Sequence, residues 1–511
     1  TIVATPSELK AAADAPRTRQ EVLGSVNDIL GEMFGIGLAR LSKATRQRLE
    51  TLAVSCHGVD LPRLERWLAA LAEAAGHSLR RDARASTMKL LEQGARVAAL
   101  AAALANPTAR LVGRHRTRYE QVGNLSLVGL GAERWRSQSG YAGLTVYFWD
   151  ETLGNWSSWT DARPAGTPGF DPLRRYHGYG PWSGCSTPAG ASRSRLQLSG
   201  AWRNPGGRLS GRPSTRAAVL GDSDPRQVPG AIADWSQLAE RARRLFGGGL
   251  GERNEQDELV ALRPALWLPA QYDEVRQELV RIVLDEKQRS LPLVLRFTPE
   301  TASAVRMLEQ HDATNTHGSL GRLRLAGGRL WVEPISLFTD GGMIHLTLDD
   351  AAAGTAAPAI AGAVHEGGGE EETLEEEEGD EISAELFLSE PFVGATPLGV
   401  LLMGIESELE AIAESGTAVR RDLQSLEQAV ARLKALGLSI CAAAIGQLVE
   451  KLRAAPQAMG EVRRAEAAAA LLRTAYLVRL AMQEESLAIA TAGYAASERT
   501  GECGGSSADA T

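Results

Sequence analysis

Two stretches rich in leucine and alanine, 19–106 and 396–496, stand at either end of a chain whose middle has a different character. In the first, Leu49, Leu52, Leu64, Trp67, Leu68 and Leu71 recur at three- and four-residue spacings, the period at which side chains line up on one face of a helix. Pro62 suits the first turn of a helix, where a missing amide hydrogen costs nothing, and Asn106-Pro107 should end the bundle. The second stretch repeats the pattern at a fixed offset of 381 positions. Without gaps, Gly35 falls on Gly416, Leu38 on Val419, Arg40 on Arg421, Leu49 on Val430, Leu52 on Leu433 and Val59 on Ile440. The match continues with Leu64 on Ile445, Leu68 on Val449, Leu71 on Leu452, Leu90 on Leu471, Leu91 on Leu472 and Val97 on Val478. Shared helical periodicity produces some of this agreement, and an internal duplication would produce all of it.

The middle reads as strands. Gly143 to Trp149 and Trp156 to Thr160, joined through Asp150 to Asn155, form an expected hairpin. Residues 161–215 are rich in Gly, Pro, Ser and Arg, a long irregular segment that should be either functional or mobile. Further on, the expectation is a helix through Tyr272 to Lys287, a strand Leu291 to Phe297, a helix Pro299 to Gln310 and strands at 320–326, 329–338 and 342–348. The fold class is therefore α+β and multidomain, with N- and C-terminal helical bundles flanking β-rich, barrel- or sandwich-like modules. The expected domains are a helical bundle at 19–106, an Arg/aromatic β module at 110–220, a linker at 221–258 and an α+β module at 259–350. An acidic disordered linker at 351–390, a helical bundle at 396–496 and a disordered tail at 497–511 complete the chain.

Charge divides the sequence more sharply than its net value of −8 suggests. From Leu330 to Val419 there are twenty acids and no Lys or Arg, which leaves +12 on the remainder. Ten of those acids lie between Glu366 and Glu381. They lack the spacing of a calcium loop and read as a solvating linker. Between Arg110 and Arg226 there are sixteen Arg, no Lys and eight acids, together with thirteen of the chain's aromatic residues. Guanidinium groups bind phosphate or carboxylate in pairs and stack on rings. The candidate binding residues are therefore Arg114, Arg116, Arg118, Arg134, Trp135, Arg136, Trp156, Trp159, Arg174, Arg175, Tyr176 and Trp182. Three readings of them stand side by side. The tryptophans can be the core of a small barrel with arginines as its rim, they can form a groove for single-stranded nucleic acid, or the set can face an anionic protein surface, the chain's own acidic segment included.

No catalytic constellation emerges. His177 and Cys185 share a glycine-rich loop but have no third orienting group. Adjacent Cys56 and His57 on a helix point about 100° apart, a poor arrangement for shared metal ligation. Gly129-Leu130-Gly131 and the Gly247 to Gly251 cluster read as turns rather than phosphate loops. Four well-separated cysteines match neither a disulfide framework nor a zinc pattern, so no metal or cofactor is expected and the setting is expected to be reducing and cytoplasmic. No apolar run is long enough for a membrane span.

The order of a leucine-rich bundle with Gly37-Leu38-Ala39-Arg40-Leu41, then Leu52-Ala53 with the Gly58-Val59-Asp60-Leu61-Pro62 turn, then a β segment from Gly140 to Asp150, resembles the downstream portion of bacterial SWIM zinc-finger-associated proteins over residues 20–215. Members of that group are typically encoded beside MoxR-type AAA ATPases and von Willebrand A-domain proteins. The resemblance implies a non-enzymatic adaptor or recognition role toward such a protein partner, with nucleic-acid binding proposed through the zinc finger. The Cys-x-Cys and Cys-x-His ligand pairs of the group are absent here, so no metal ligand carries over. The alternative function is single-stranded nucleic-acid binding by the Arg/aromatic module.

Overall fold

The computed structural model describes residues 18–115, 118–137, 140–247, 249–251, 254–349, 396–419, 421–454 and 461–495. The acidic linker and the tail expected at 351–390 and 497–511 lie outside the described residues. The chain divides into two units: the first takes the described residues of Thr1–His115, Gly247–Glu252 and Ser389–Ser486, and the second those of Arg116–Phe246, Arg253–Leu388 and Leu487–Thr511. The α+β multidomain class is thus what the chain adopts, with helices at both ends and β-structure between them.

The first unit is helical. It contains α1 (Arg19–Ile36), α2 (Lys43–Gly58), α3 (Pro62–Arg80), α4 (Thr87–Ala103), α5 (Pro397–Ser415), α6 (Gln424–Ala435), α7 (Ser439–Ala454) and α8 (Glu461–Ala495), which ends in the second unit. Local chemistry sets the starts. Thr18 and Glu21 form a reciprocal capping box on α1, Ser42 caps α2 and Ser86 caps α4, while Pro62 and Pro397 occupy first-turn positions. Both helical segments contribute to one apolar core, in which Leu49, Leu64, Leu68 and Leu71 join Leu433, Ile445, Val449 and Leu452. The bundles expected at 19–106 and 396–496 are therefore two halves of one body.

Their chain reversals meet. α1 ends at Gly37 (φ 103°) and α5 at Gly416 (φ 90°), backbone geometry that side chains rarely allow. A Cβ on Gly37 would lie 2.6 Å from the Gly416 nitrogen, and one on Gly416 would lie 2.5 Å from the Ile36 carbonyl oxygen. The Thr417 amide donates to the Gly35 carbonyl at 3.2 Å.

The second unit holds two sheets. The first is antiparallel, in the order β3-β2-β1-β4-β5, from β1 (Glu120–Arg136), β2 (Tyr141–Asp150), β3 (Asn155–Pro164), β4 (Ser194–Arg203) and β5 (Arg216–Asp222). The expected hairpin is β2 and β3, with Trp149 opposite Trp156. Asp150 builds its turn by accepting from the amides of Thr152 and Leu153. Residues 161–215 are ordered: the helical turns Pro172–His177 and Pro188–Ala191 cover one face of this sheet, packing Tyr176, Trp182 and Ala191 onto Leu127, Val146, Phe148 and Trp159.

The second sheet comes from β6 (Leu259–Leu262), β7 (Leu266–Asp273), β8 (Glu278–Leu284), β9 (Ser290–Arg296), β10 (Thr316–Ala326), β11 (Arg329–Thr339) and β12 (Gly342–His345). Its order is β6-β10-β11-β9-β8-β7, with β12 beside β11. β6 and β7 are separated by only three residues, including Pro264, yet β6 pairs with β10 at one end of the order and β7 with β8 at the other. They act as one bent strand, and the sheet closes into a barrel. β9 and β11 run parallel through Val332 and Leu293, and the helix Ala302–Gln310 plugs one end over Leu279, Leu295 and Leu337.

Two expectations need correcting here. The helix expected through Tyr272 to Lys287 is the β7–β8 hairpin, because Asp273 accepts from the Val275 and Arg276 amides and turns the chain, with Gln277 at φ 55°. The linker expected at 221–258 contains the helix Trp235–Phe246, whose Trp235, Leu238, Ala239, Ala242 and Leu245 pack on the barrel residues Val260, Leu262 and Leu323.

Candidate binding surfaces of the β-containing unit

The rings proposed as stacking platforms are core. Trp156, Trp159, Trp182 and Tyr176 are each at most 6% exposed. Trp159, Trp182 and Tyr176 sit on one face of the five-stranded sheet, while Trp156 lies on the face toward the barrel with Val128, Leu130, Leu259 and Phe338. Alternation along β3 sends Trp156 and Trp159, three residues apart, to opposite faces of the sheet, both of which are covered. Trp182 donates its indole hydrogen to the Ser210 carbonyl at 2.8 Å, and half-buried Trp135 donates to the Thr145 hydroxyl at 2.9 Å. These are the polar partners that buried indoles require. This replaces the reading of these rings as a nucleic-acid groove.

The arginines divide. Arg175 is internal: it donates to Asp161 at 2.6 Å and stands over the rings of Trp159 and Tyr179. Arg114, Arg118, Arg136 and Arg174 are exposed and Arg134 is half-buried. Arg116 lies outside the described residues. Arg114 belongs to the first unit and the other described residues of the set to the second.

His177 and Cys185 differ in exposure. His177 is exposed with its ring 4.9 Å from that of Tyr176, whereas Cys185 is buried, its Sγ 3.6 Å from the Thr187 carbonyl, and burial pushes its thiol up. A nucleophile needs the opposite shift.

Two surfaces were not visible in the sequence. The first is one end of the barrel, where β7 turns into β8 and β10 into β11. Arg296 and Arg329 lie 3.5 and 3.8 Å from Glu278, and Arg276 lies 4.0 Å from Asp273. Tyr272, Val275 and Phe297 are exposed nearby in the chain. Solvated pairs at such distances hold weakly, so a phosphate or a partner's carboxylate can compete for these guanidinium groups. The β10–β11 loop is only Gly327-Gly328, both at positive φ, as a two-residue hairpin turn demands.

The second surface is the edge of the five-stranded sheet. β5 pairs with β4 on one side; on the other, Ser183 bridges Arg216 and accepts from the Ala217 amide at 2.7 Å, while Ala218, Val219 and Leu220 are exposed. No charged side chain interrupts Ala217-Ala218-Val219-Leu220.

Among known families, the one described as the YehQ C-terminal OB-fold domain matches residues 256–366. The second sheet falls within that match and is similar to an OB-fold domain. Its described part, five barrel strands in the order first-second-third-fifth-fourth with the first bent and a helix between the third and fourth, is the arrangement seen in β6 to β11. Such barrels bind oligonucleotides, oligosaccharides or proteins, the former through the second and third strands and the loops after the first and fourth. Here those are β8, β9, residues 274–277 and Gly327-Gly328, the same end that gathers Arg276, Arg296 and Arg329. Comparison of the chain with curated proteins and with solved structures returned no match. No helix among the described residues is long and apolar enough to cross a membrane.

Proposed function

We propose that the chain is a non-enzymatic adaptor that engages a protein partner by accepting one of its strands on the free edge of β5. The exposed, uncharged stretch Ala218-Val219-Leu220 of that edge carries this reading. Sheet edges are ordinarily protected by charge, proline or a bulge, because unpaired backbone groups recruit other strands. Here Ser183 covers the start of β5 and a bulge lies at Leu220, and the short apolar stretch between them suits strand addition, in which main-chain hydrogen bonds give affinity and alternate side chains give selectivity. The MoxR-type AAA ATPase and von Willebrand A-domain protein implied by the resemblance are the partner candidates, and a cytoplasmic setting accords with them. The burial of Cys185, which pushes its thiol up, accords with a non-enzymatic role. Binding of the purified chain to each candidate, compared with Val219→Lys/Leu220→Glu, tests the proposal. A loss of tenfold or more in the variant is expected, and unchanged affinity overturns the edge as the contact.

A second reading, single-stranded nucleic-acid binding, is favoured by the convergence of Arg276, Arg296 and Arg329 at the barrel end. It is tested by anisotropy with labelled oligonucleotides across a salt series. Each phosphate-contacting arginine changed to alanine should lower the salt slope by about one.

The two helical halves are further proposed to be copies. Leu64 and Ile445, Leu68 and Val449, Leu71 and Leu452, Leu90 and Leu471, Leu91 and Leu472, and Val97 and Val478 are all buried, six pairs at an offset of 381. The reversals Gly37 and Gly416 stand 379 apart, a difference accommodated in the segment before α2 and α6, where Leu38 is buried and Val419 exposed. Ile440 is exposed where Val59 is half-buried, a departure at the next turn. Relatives in which the two halves resemble each other more closely would support the copy, and relatives in which the buried pairs drift out of register would count against it.

A further inference from the structure

We propose that His57, Glu65 and His115, in the first unit, form a binding site for one divalent transition-metal cation of the zinc class. The three come from different elements. His57 is the penultimate residue of α2, Glu65 lies in the first turn of α3, and His115 follows the helical turn Ala109–Val112. The reversal between α2 and α3 passes through Asp60, held at φ 58°, and Arg19 donates to the Val59 carbonyl at 3.0 Å. That anchored turn carries His57 back against Glu65.

Each of the three side chains offers one ligand atom, and these atoms all lie within 4.8 Å of one another. Nδ1 of His57 lies 3.1 Å from both Glu65 oxygens, and the two imidazoles meet edge to face with centroids 5.1 Å apart. Tetrahedral zinc holds nitrogen and oxygen ligands at roughly 2.0–2.2 Å, which sets them about 3.4 Å from each other. Exposed His57 and half-buried Glu65 can close the remainder by side-chain rotation. A metal-bound imidazole ordinarily has a carboxylate on its second nitrogen or nearby to fix its orientation, and Asp60 lies 3.0 Å from Nε2 of His115. Asp60 is therefore the positioning residue of the site.

The donor set selects the ion. Two imidazoles and one carboxylate favour zinc, cobalt, nickel or copper over magnesium or calcium, which want oxygen alone. The neighbouring Cys56 does not join: it is fully buried, and burial together with the Glu65 charge pushes its thiol up to about 12. Three protein ligands leave one coordination position for water or a partner's side chain.

The test is zinc competition against a chromogenic chelator on the full chain, in excess magnesium to occupy acidic segments. Wild-type protein should bind one equivalent, and His57→Ala, His115→Ala and Glu65→Gln should each weaken that binding tenfold or more. Asp60→Asn should weaken it less while leaving one equivalent. Cobalt substitution should give the visible bands of a tetrahedral nitrogen-oxygen site in wild type and lose them in His57→Ala. His57 is largely exposed, so that variant should keep the wild-type melting curve without metal. Failure of wild type to bind an equivalent under magnesium, or full retention of binding in His57→Ala and His115→Ala, overturns the site.

Discussion

Half-buried Arg322, on the barrel, donates to the carboxylate of buried Glu133, on the five-stranded sheet. Tyr147 also donates to that carboxylate, at 2.5 Å. Burial alone would push the Glu133 carboxyl up, but the Arg322 guanidinium and the two donors outweigh it and hold the group below its ordinary value. The pair is thus ionised, and it ties together strands 189 residues apart. Removing one partner leaves an uncompensated charge, at a cost of about 3–5 kcal/mol. Arg322→Leu should destabilise the protein by that order in urea unfolding. The double variant Glu133→Leu/Arg322→Leu should cost less than the sum of the singles, and strict additivity would show that the two charges do not interact.

His345 makes the second unit sensitive to acid. It is fully buried with one ring nitrogen 2.8 Å from the Ser336 hydroxyl and the other 2.9 Å from that of Ser192. Burial, reinforced by Arg193, holds its protonation well below the usual histidine value, so it is neutral in the fold. The unfolded chain takes up that proton first. Stability from this residue is complete above about pH 6.5 and falls as the pH drops beneath it, by at most about 1.4 kcal/mol per unit. His345→Gln should flatten the decline in unfolding midpoint between about pH 6.5 and 5. An unchanged pH slope would assign the acid sensitivity elsewhere.

In the first unit the sign is opposite. Arg479 is shared by Glu92 at 3.0 Å and Glu406 at 3.1 Å, two carboxylates for one cation. Burial pushes the Glu92 carboxyl up to about 7, with Glu406 and Glu410 adding to the rise and Arg479 and Arg96 opposing it. The fold therefore holds a proton that the unfolded chain releases near the ordinary glutamate value. The stabilising contribution is present below about pH 4.5 and is lost as the pH rises to about 7. Glu92→Gln should remove that loss, so that variant and wild type diverge most at pH 8 and the variant is then the more stable.

Gly37→Ala and Gly416→Ala should each destabilise the helical unit. A side chain at these dihedral angles costs about 1–3 kcal/mol in backbone strain, and each added methyl would overlap the opposite turn. A midpoint unchanged within error in thermal unfolding would mean that the two turns can separate without loss.

Much of the fold is legible where the physics is local. The helical stretches opening at about Arg19 and Thr396, the first turn at Pro62, the β2–β3 hairpin and the strands expected at 320–326 and 329–338 follow from spacing and turn residues. The helix misread at Tyr272 to Lys287 shows the limit. Its apolar spacing fits a helix, but Asp273 and Asp285 each capture backbone amides two to four residues on, and those short bonds turn the chain into a hairpin. The helix Trp235–Phe246 was obscured by its Gly- and Pro-rich flanks although its own apolar positions recur regularly. Closure of the barrel depends on Pro264 dividing the first strand between two partners, which no local pattern announces. The candidate sites were hidden for the same reason. Cys56-His57 drew notice as neighbours in sequence, whereas His57 faces Glu65 and His115, eight and fifty-eight positions onward. The tryptophans were conspicuous by composition, yet alternation on the strands assigned them to the interior.

The contact between Gly37 and Gly416 also sets an order of events during synthesis. The N-terminal helices emerge from the ribosome long before the segment that completes their core, since Leu402 through Met482 supply the other half of it. In the interval, nearly all of the barrel and its neighbouring sheet, residues 118–349, has been made and can fold. The helices made before the barrel are thus among the last parts of this chain to reach their native state. Their apolar faces must wait, and a chaperone or nascent-chain partner would find them exposed for as long as it takes to make the remaining residues up to Ser486.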